Sequence, residues 1–477
     1  MKRSVITIED LSKTEIEAIF DLADEYMSKL PDPQSDFRVR GRLNVGSPFV
    51  AATLFYEPST RTKFSFETAM VRLGGHFLSA ADPAVTSAAK GETLADTVRV
   101  IQNYADIIVL RHPAEGAARL AAQYAEVPII NAGDGGHEHP TQTLCDLYTL
   151  RREKTSLAGL NVLLCGDLKN GRTIHSLVYA LARFGANILP LPAPGLELPD
   201  HVARRLEWEY GCIPQKVKGK KGISDLAVDV VYVTPHEPHQ QALFPDVKVD
   251  VRVALERKAL STSRIDVCYV TRLQKERLPN GKAKNSNYPV VDQHFLQDKR
   301  FEHTHVLHPL PRVGELGYDL DEDPRGAYFK QAAYGVPIRM ALIASLLRIC
   351  PDVLQQEGSE GKYDRFYARQ EGIKCPNMRC ITRVDSEKSY LKPKFWIVNR
   401  NQLPLIQSEM PLTARCYFCE YDIVPLVVGD AAKREYYSDC QRWSSISPND
   451  LILFVDEEQA EAQGYRSTTD VREPALV

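Results

Sequence analysis

Between Phe49 and Cys350, short apolar runs alternate with stretches of helical periodicity. Phe49–Phe55, Ala105–Leu110, Val127–Asn131, Asn161–Cys165, Val228–Thr234, Ile265–Thr271 and His305–Leu310 read as strands. Between them, Lys63–Leu73 carries apolar residues at Phe64, Ala69, Val71 and Leu73, and Leu94–Tyr104 and Ile174–Phe184 are also helical patterns. Strand–helix alternation of this kind predicts doubly wound α/β sheets. Polar motifs stand just past the strand ends, where open parallel sheets bind ligands.

The richest of these motifs is Phe55-Tyr56-Glu57-Pro58-Ser59-Thr60-Arg61-Thr62. Pro58 breaks the strand and a helix is expected to begin directly after it. Ser59 and Thr60 then fall beside unpaired first-turn amides, and Arg61 adds a fork of donors that matches phosphate oxygens. The pattern is that of an anion site. Taken alone it is equally a capping segment that binds nothing.

Further motifs follow in order: Ser87-Ala88-Ala89-Lys90-Gly91-Glu92-Thr93, Arg111-His112-Pro113, His139-Pro140-Thr141-Gln142-Thr143, Gly171-Arg172-Thr173, Thr271-Arg272-Leu273-Gln274 and His308-Pro309-Leu310-Pro311-Arg312. Together with Ser59–Thr62 and Phe64-Ser65-Phe66-Glu67-Thr68, they resemble the aspartate and ornithine transcarbamoylases over residues 1–350. The resemblance implies two doubly wound parallel-sheet domains in the carbamoyltransferase fold; the small β-rich zinc domain expected after them rests on a separate cysteine cluster, Cys375, Cys380, Cys416 and Cys419. It places a carbamoyl phosphate domain at 1–140, completed by a helix at 335–352, and an aspartate domain at 141–334. A linker at 353–365, a zinc domain at 366–425 and an extension of unknown role at 426–477 follow. Residues 235–263 and the surface loop 279–288 have no counterpart in the compact family pattern.

The implied reaction moves a carbamoyl group from carbamoyl phosphate to the amine of L-aspartate, a step of de novo pyrimidine synthesis, with no catalytic cofactor. Such chemistry needs a held phosphate, a polarised carbonyl and an amine aimed at the carbon. Ser59, Thr60, Arg61 and Thr62 would hold the phosphate, and Thr62, Arg111 and His139 would surround the carbonyl oxygen. His139 is expected to act as a neutral donor, because the departing phosphate can take the proton. Gln142 would meet the carbamoyl nitrogen, and the Leu310 and Pro311 backbone would complete the pocket. Aspartate carries two carboxylates and needs two cationic forks. The resemblance assigns Arg172 to the α-carboxylate and Arg272, beside Gln274, to the side-chain carboxylate. Glu57 is expected to bridge to Arg172 and Arg277 when both substrates are bound.

In the family, Ser87 and Lys90 reach into a neighbouring subunit's site, so a homotrimer with shared active sites is implied. Two other readings remain: an inactive homologue serving as an assembly subunit, and an ornithine carbamoyltransferase. Ornithine would require an acid for its side-chain amine, and the ornithine enzymes usually show His-Cys-Leu-Pro where this chain has His308-Pro309-Leu310-Pro311.

A net charge of −3 over 477 residues implies neither a nucleic-acid nor a membrane partner. Acid at Glu9 and Asp10 interrupts the N-terminal segment before any signal-like apolar core, and a cytoplasmic enzyme is expected. Of ten cysteines, Cys375, Cys380, Cys416 and Cys419 cluster as two close pairs. Two such pairs suit a closed tetrahedral zinc site, with disulfides as the alternative. Their surroundings resemble the zinc domain of the aspartate transcarbamoylase regulatory chain, without the nucleotide-binding domain that normally precedes it. The later Tyr437–Arg466 segment weakly resembles small metal-binding tails, and no metal is assigned there.

Overall fold

The computed structural model describes residues 3–45, 49–80, 87–154, 156–169, 172–193, 195–214, 228–234, 264–272, 290–350, 353–354, 367–370, 372–384, 386–388, 390–398, 412–423, 427–438, 445–447 and 449–468. Among these, no helix is long and apolar enough to cross a membrane.

Helix α1 (Lys13–Lys29) opens with a capping box in which Ser12 and Glu15 satisfy each other's backbone amides. The first lobe then alternates β1 (Val50–Phe55), α2 (Thr60–Leu73), β2 (His76–Ala80), α3 (Leu94–Ile101), β3 (Ile107–His112), α4 (Ala117–Tyr124) and β4 (Ile129–Asp134). Its four parallel strands lie in the order β2-β1-β3-β4, with Thr53 opposite both Ser79 and Val109. Helix α2 stops at Gly74, whose φ of +104° is left-handed and whose absent Cβ would sit 2.7 Å from the Leu43 carbonyl oxygen.

Helix α5 (Pro140–Lys154) leads into the second lobe: β5 (Asn161–Gly166), α6 (Arg172–Arg183), β6 (Asn187–Pro192), α7 (Asp200–Tyr210), β7 (Val230–Val233), β8 (Val267–Val270) and β9 (His305–Leu307). These five parallel strands run in the order β9-β8-β7-β5-β6. The similar strands β7 and β8 pair side by side, and Tyr232 stacks on Tyr269 with ring centroids 4.4 Å apart. Residues 235–250, 251–263 and 273–289 lie outside the described residues, and with them the two insertions, Gln274 and Arg277.

Helix α8 (Tyr328–Leu346) returns to pack on α1, α2 and α5. Its Ile338, Leu342 and Ile343 join Leu144, Leu147 and Tyr148 of α5 in one core that spans both lobes.

The C-terminal chain forms a third sheet from β10 (Tyr367–Gln370), β11 (Phe395–Ile397), β12 (Ala414–Cys416), β13 (Asp422–Ile423), β14 (Val427–Asp430), β15 (Glu435–Tyr437), β16 (Leu451–Phe454) and β17 (Arg466–Ser467). The short helix α9 (Glu457–Ala462) lies between the last two strands. Strand order is β13-β12-β11-β10-β16-β14-β15-β17, and β10 and β16 pair in parallel. The sheet therefore runs on across residue 425, and strands from 367–423 and from 427–467 share it.

This module is packed into the first two lobes rather than tethered beside them. Ile373, Ile381, Leu412 and Phe418 share a core with Ala114, Ala117 and Leu120 of the first lobe. Backbone bonds join Glu115 N to the Arg379 carbonyl at 2.9 Å and Ile381 N to the Glu115 carbonyl at 2.8 Å. Glu420 is buried between lobes: one carboxylate oxygen accepts from Arg119 of α4 and the other from Arg205 of α7 at 2.7 Å. Removing one partner of such a buried pair leaves uncompensated charge and costs about 3–5 kcal/mol. Glu420→Ala is expected to strip the ion pair from buried Arg119, to leave Arg205 with only its other carboxylates, and to lower the thermal unfolding midpoint by several degrees. Scanning calorimetry of the full chain checks it, and an unchanged midpoint would deny the bridge any structural weight.

Candidate active site

The end of β1 and the start of α2 bring the Ser59–Thr62 run to the C-terminal edge of the first sheet. Ser59 is the N-cap residue, yet its side chain makes no capping bond to the helix. Thr62 is buried and Arg61 exposed. Beneath them, Glu67 accepts from Thr53 at 2.9 Å and pairs with Lys63, and Arg339 of α8 donates to Ser65 at 3.1 Å. The first turns of α2 are thus held from the strand on one side and from the returning helix on the other.

Arg61 reaches across to the second lobe, where its Nη2 donates to the Leu310 carbonyl at 2.6 Å. Although Arg61 is exposed at its surface, partial desolvation by the cleft walls, and then the nearby charge of Arg272, lower its affinity for its proton. Burial also holds the His308 imidazole below its usual value, with Arg61 and Arg272 acting in the same direction. Glu315, whose carboxylate meets His308 Nε2 at 2.8 Å, opposes them. Arg61, Arg272 and His308 therefore sit within electrostatic reach of one another, on both sides of the cleft. The loop carrying Leu310 is shaped for this: Leu310 itself adopts φ +55° and its amide donates to His308 Nδ1 at 2.7 Å.

Arg111, at the end of β3, is buried. Its Nη1 donates to the Ala132 carbonyl at 3.0 Å and stands 3.5 Å from His139 Nε2, while Nη2 pairs with Glu57 at 3.4 Å. Glu57 thus has Arg111 as a partner; Arg277 and the side chain of Arg172 lie outside the described residues. His139 is buried where α5 begins, with Thr141 Oγ1 3.5 Å from its Nδ1. Gln142, one turn into α5, donates its amide to Asp146 at 2.8 Å. Lys90 is exposed on a 3-10 turn at Ser87–Lys90; the Ser87 side chain, the Arg172 side chain and Gln274 lie outside the described residues. Leu310 faces Arg61 across the cleft through its carbonyl, and Pro311 follows it in the chain.

Cys375, Cys380, Cys416 and Cys419 are all buried, and their sulfurs lie within 4.8 Å of one another. Cys375 Sγ is 3.5 Å from Cys419 Sγ, and Cys380 Sγ is 3.9 Å from Cys416 Sγ. Disulfide sulfurs would be about 2.05 Å apart. Four thiolates on a tetrahedral zinc, each at about 2.3 Å, stand about 3.8 Å from one another. The donor set and its spacing therefore fit a closed metal site. Hydrogen bonds from Cys375, Cys416 and Cys419 push the Cys380 thiol far down, and Thr382 adds another at 3.2 Å.

Comparison with known proteins agrees with this geometry. Residues 3–152 match the aspartate/ornithine carbamoyltransferase carbamoyl-P binding domain, and residues 220–346 match the Asp/Orn binding domain of the same family. The aspartate carbamoyltransferase catalytic subunit of Clostridium botulinum (strain Okra / Type B1) is 41% identical over 352 residues, which are 73% of this chain and 98% of that one. The chain belongs to the aspartate/ornithine carbamoyltransferase family. The catalytic subunit of Methanocaldococcus jannaschii is 42% identical over 348 residues, 72% of this chain and 98% of its own. Among solved structures, M. jannaschii aspartate transcarbamoylase catalytic subunit superposes with a TM-score of 0.55 at 40% identity, covering 73% of this chain and 99% of that chain. The Trypanosoma cruzi enzyme in complex with N-(phosphonacetyl)-L-aspartic acid gives 0.55 at 33% identity, covering 72% and 95%. Both matched family segments end by residue 346, ahead of the cysteine cluster.

The ion pair of Glu57 with Arg111, and the buried group around Asp146, were not singled out from sequence. Only the four-residue spacing of Gln142 and Asp146 on one helix signals the second of them. Glu315 also gives a titration expectation. Its carboxylate raises the His308 value against burial, so Glu315→Gln is expected to move that titration further down. The His308 ring signal, followed by NMR from pH 8 to 4, reads the shift; an upward move would mean Glu315 does not act on His308.

Proposed function

We propose that this chain is an aspartate carbamoyltransferase, joining carbamoyl phosphate and L-aspartate to give N-carbamoyl-L-aspartate and phosphate in de novo pyrimidine synthesis. The observation that carries the reading is the meeting of Arg61, Arg272 and the Leu310 carbonyl across the cleft, with Arg111 beside His139. Cations from two lobes converge on one place, which suits a substrate pair bearing a phosphate and two carboxylates.

In this reading Ser59, Thr60, Arg61 and Thr62 hold the phosphate, and Thr62, Arg111 and His139 donate to the carbonyl oxygen as it gains negative charge. Leu310 and Pro311 offer backbone carbonyls, and Gln142 meets the carbamoyl nitrogen. The aspartate amine attacks the carbamoyl carbon, the bond to the phosphate oxygen breaks, and the departing phosphate carries off the amine proton. Arg172 takes the α-carboxylate and Arg272, with Gln274, the side-chain carboxylate. Ser87 and Lys90 serve a neighbouring subunit's site in a homotrimer, which accords with the exposure of Lys90. The carbamoyl phosphate domain covers 1–140 with the returning helix, and the aspartate domain covers 141–334. A cytoplasmic setting, which keeps thiols reduced, suits the cysteine set.

A side-by-side assay of aspartate and ornithine tests the reading, with turnover expected on aspartate alone. Arg272→Ala is expected to raise the aspartate KM by about 100-fold, roughly 3 kcal/mol, while carbamoyl phosphate binding changes little. Equal loss of both affinities would overturn the assignment of Arg272.

We further assign Cys375, Cys380, Cys416 and Cys419 as ligands of one structural zinc in a domain like that of the regulatory chain, fused here to a catalytic chain. Four thiolates leave no open position for substrate, so the metal supplies folding free energy and no step of catalysis. Chelation is expected to release about one zinc per chain and to lower thermal stability, with carbamoyl transfer lost only as the protein unfolds. CTP and ATP are expected to leave the rate unchanged. Metal analysis, activity and sedimentation of the chelated protein check this; immediate loss of activity with an intact fold and assembly would place the metal in catalysis.

A further inference from the structure

Beneath the cleft, Asp146 of α5 is buried and gathers donors from three elements. Gln142 Nε2 donates to its Oδ1 at 2.8 Å from the same helix, and Gln331 Nε2 of α8 donates to Oδ1 at 2.8 Å. The Tyr269 hydroxyl of β8 donates to both carboxylate oxygens at 3.1 Å. Gln331 passes the connection on, because its Oε1 accepts from His308 N at 2.9 Å. One carboxylate thus ties Gln142, the strand that leads into Thr271 and Arg272, and the loop that carries Leu310.

We propose that Asp146 is a positioning residue of the transfer reaction, fixing which end of the Gln142 amide faces substrate and anchoring the His308–Leu310 loop through Gln331. The inference rests on Gln142 meeting the carbamoyl nitrogen. With Nε2 engaged by Asp146, the end of the amide left for substrate is Oε1, an acceptor. A carbamoyl NH2 group is a donor, so this orientation pairs the two, whereas the flipped amide would set donor against donor. A carboxylate suits the hub because it only accepts, and all three of its partners donate. An asparagine would turn an NH2 toward one of them, and a buried donor left facing a donor loses its bond outright.

Titration follows from the same arrangement. Burial pushes the Asp146 carboxyl up to about 7, against the hydrogen bonds of Gln142, Gln331 and Tyr269 and the charge of Arg339 on α8. The titratable neighbours are Tyr269, itself stacked on Tyr232, and Cys145, which lies 3.5 Å from Arg339. As pH falls through that value the carboxyl takes a proton and one of its donors loses an acceptor. Carbamoyl phosphate kcat/KM is therefore expected to fall on the acid side of about pH 7.

The test uses the full chain. In Asp146→Asn, kcat/KM for carbamoyl phosphate is expected to drop about tenfold or more, the loss of one well-aligned bond. Inhibition by inorganic phosphate, which does not involve Gln142, should stay within twofold, and the acid limb should vanish. Tyr269→Phe keeps the ring stack but removes a donor that favours the ionised carboxyl, so the acid limb should move to higher pH. Equal loss of phosphate and carbamoyl phosphate affinity in Asp146→Asn, an unaltered pH profile in that variant, or an unmoved limb in Tyr269→Phe would each overturn the proposal. Wild-type protein that forms no carbamoyl aspartate would instead overturn the functional reading beneath it.

Discussion

Glu420 stands one residue beyond Cys419, the last of the four clustered cysteines, and its buried carboxylate is shared between Arg119 of the first lobe and Arg205 of the second. Burying such an ion costs several kcal/mol, and the cost is offset only where partners are well placed on every side. They are placed on every side here. Arg205 also pairs with Glu209 and with Glu9 near the N-terminus, and Arg415 pairs with Glu209 and Asp422. Three guanidiniums and four carboxylates from the N-terminal segment, both lobes and the C-terminal module form one network. Any change in the angle between the lobes has to pivot about this network or break it.

The four clustered cysteines lie beside this network. Two like charges about 4 Å apart repel by about 4 kcal/mol at an effective dielectric of 20, so four adjacent thiols cannot all ionise without a cation among them. With the four sulfurs gathered, Cys419 fixes the turn that aims Glu420, and Cys380 fixes the strand-like pairing of Glu115 with the module. The module thus meets the first lobe on the segment that runs from Arg111 to Gly116. Gly116 N in turn donates to Asp134 at 2.8 Å, and Asp134 accepts from Glu138 N at 3.1 Å, immediately before His139. A continuous set of hydrogen bonds therefore runs from the cysteine cluster to the segment that carries His139.

What could be read from sequence followed the strength of the local signal. Short apolar runs gave seven of the nine strands of the two parallel sheets, because buried parallel strands are apolar along their length, while His76–Ala80 and Asn187–Pro192 were not among them. Strand β4 was expected to stop at Asn131, yet it continues to Asp134, since Asn131 and Asp134 satisfy each other and the surrounding backbone in the interior. Helix α8 begins at Tyr328, ahead of the expected start at residue 335, and every residue from Pro337 to Leu346 is buried. A helix apolar on every side lacks the periodic stripe that marks a start. The Ser59–Thr62 run was legible as a candidate anion site because its residues are contiguous. Glu420, Arg119 and Arg205 were not, because their pairing joins positions hundreds of residues apart that carry no local pattern.

Arginine serves this fold in two opposite ways, and the contrast explains why stability and binding do not compete for the same residues. Arg119, Arg205 and Arg415 are matched to carboxylates in the interior, where each charge is neutralised before any ligand arrives. Arg61 at the cleft meets a neutral carbonyl and the field of Arg272, and its hold on its own proton weakens accordingly. Like charges brought together in a partly desolvated cleft raise the free energy of that cleft without an anion, and an arriving phosphate or carboxylate relieves it. The paired arginines hold the lobes in register, and that register is what lets the cleft arginines be brought so close. The arrangement of cations in the cleft is therefore supported by ion pairs far from the cleft itself.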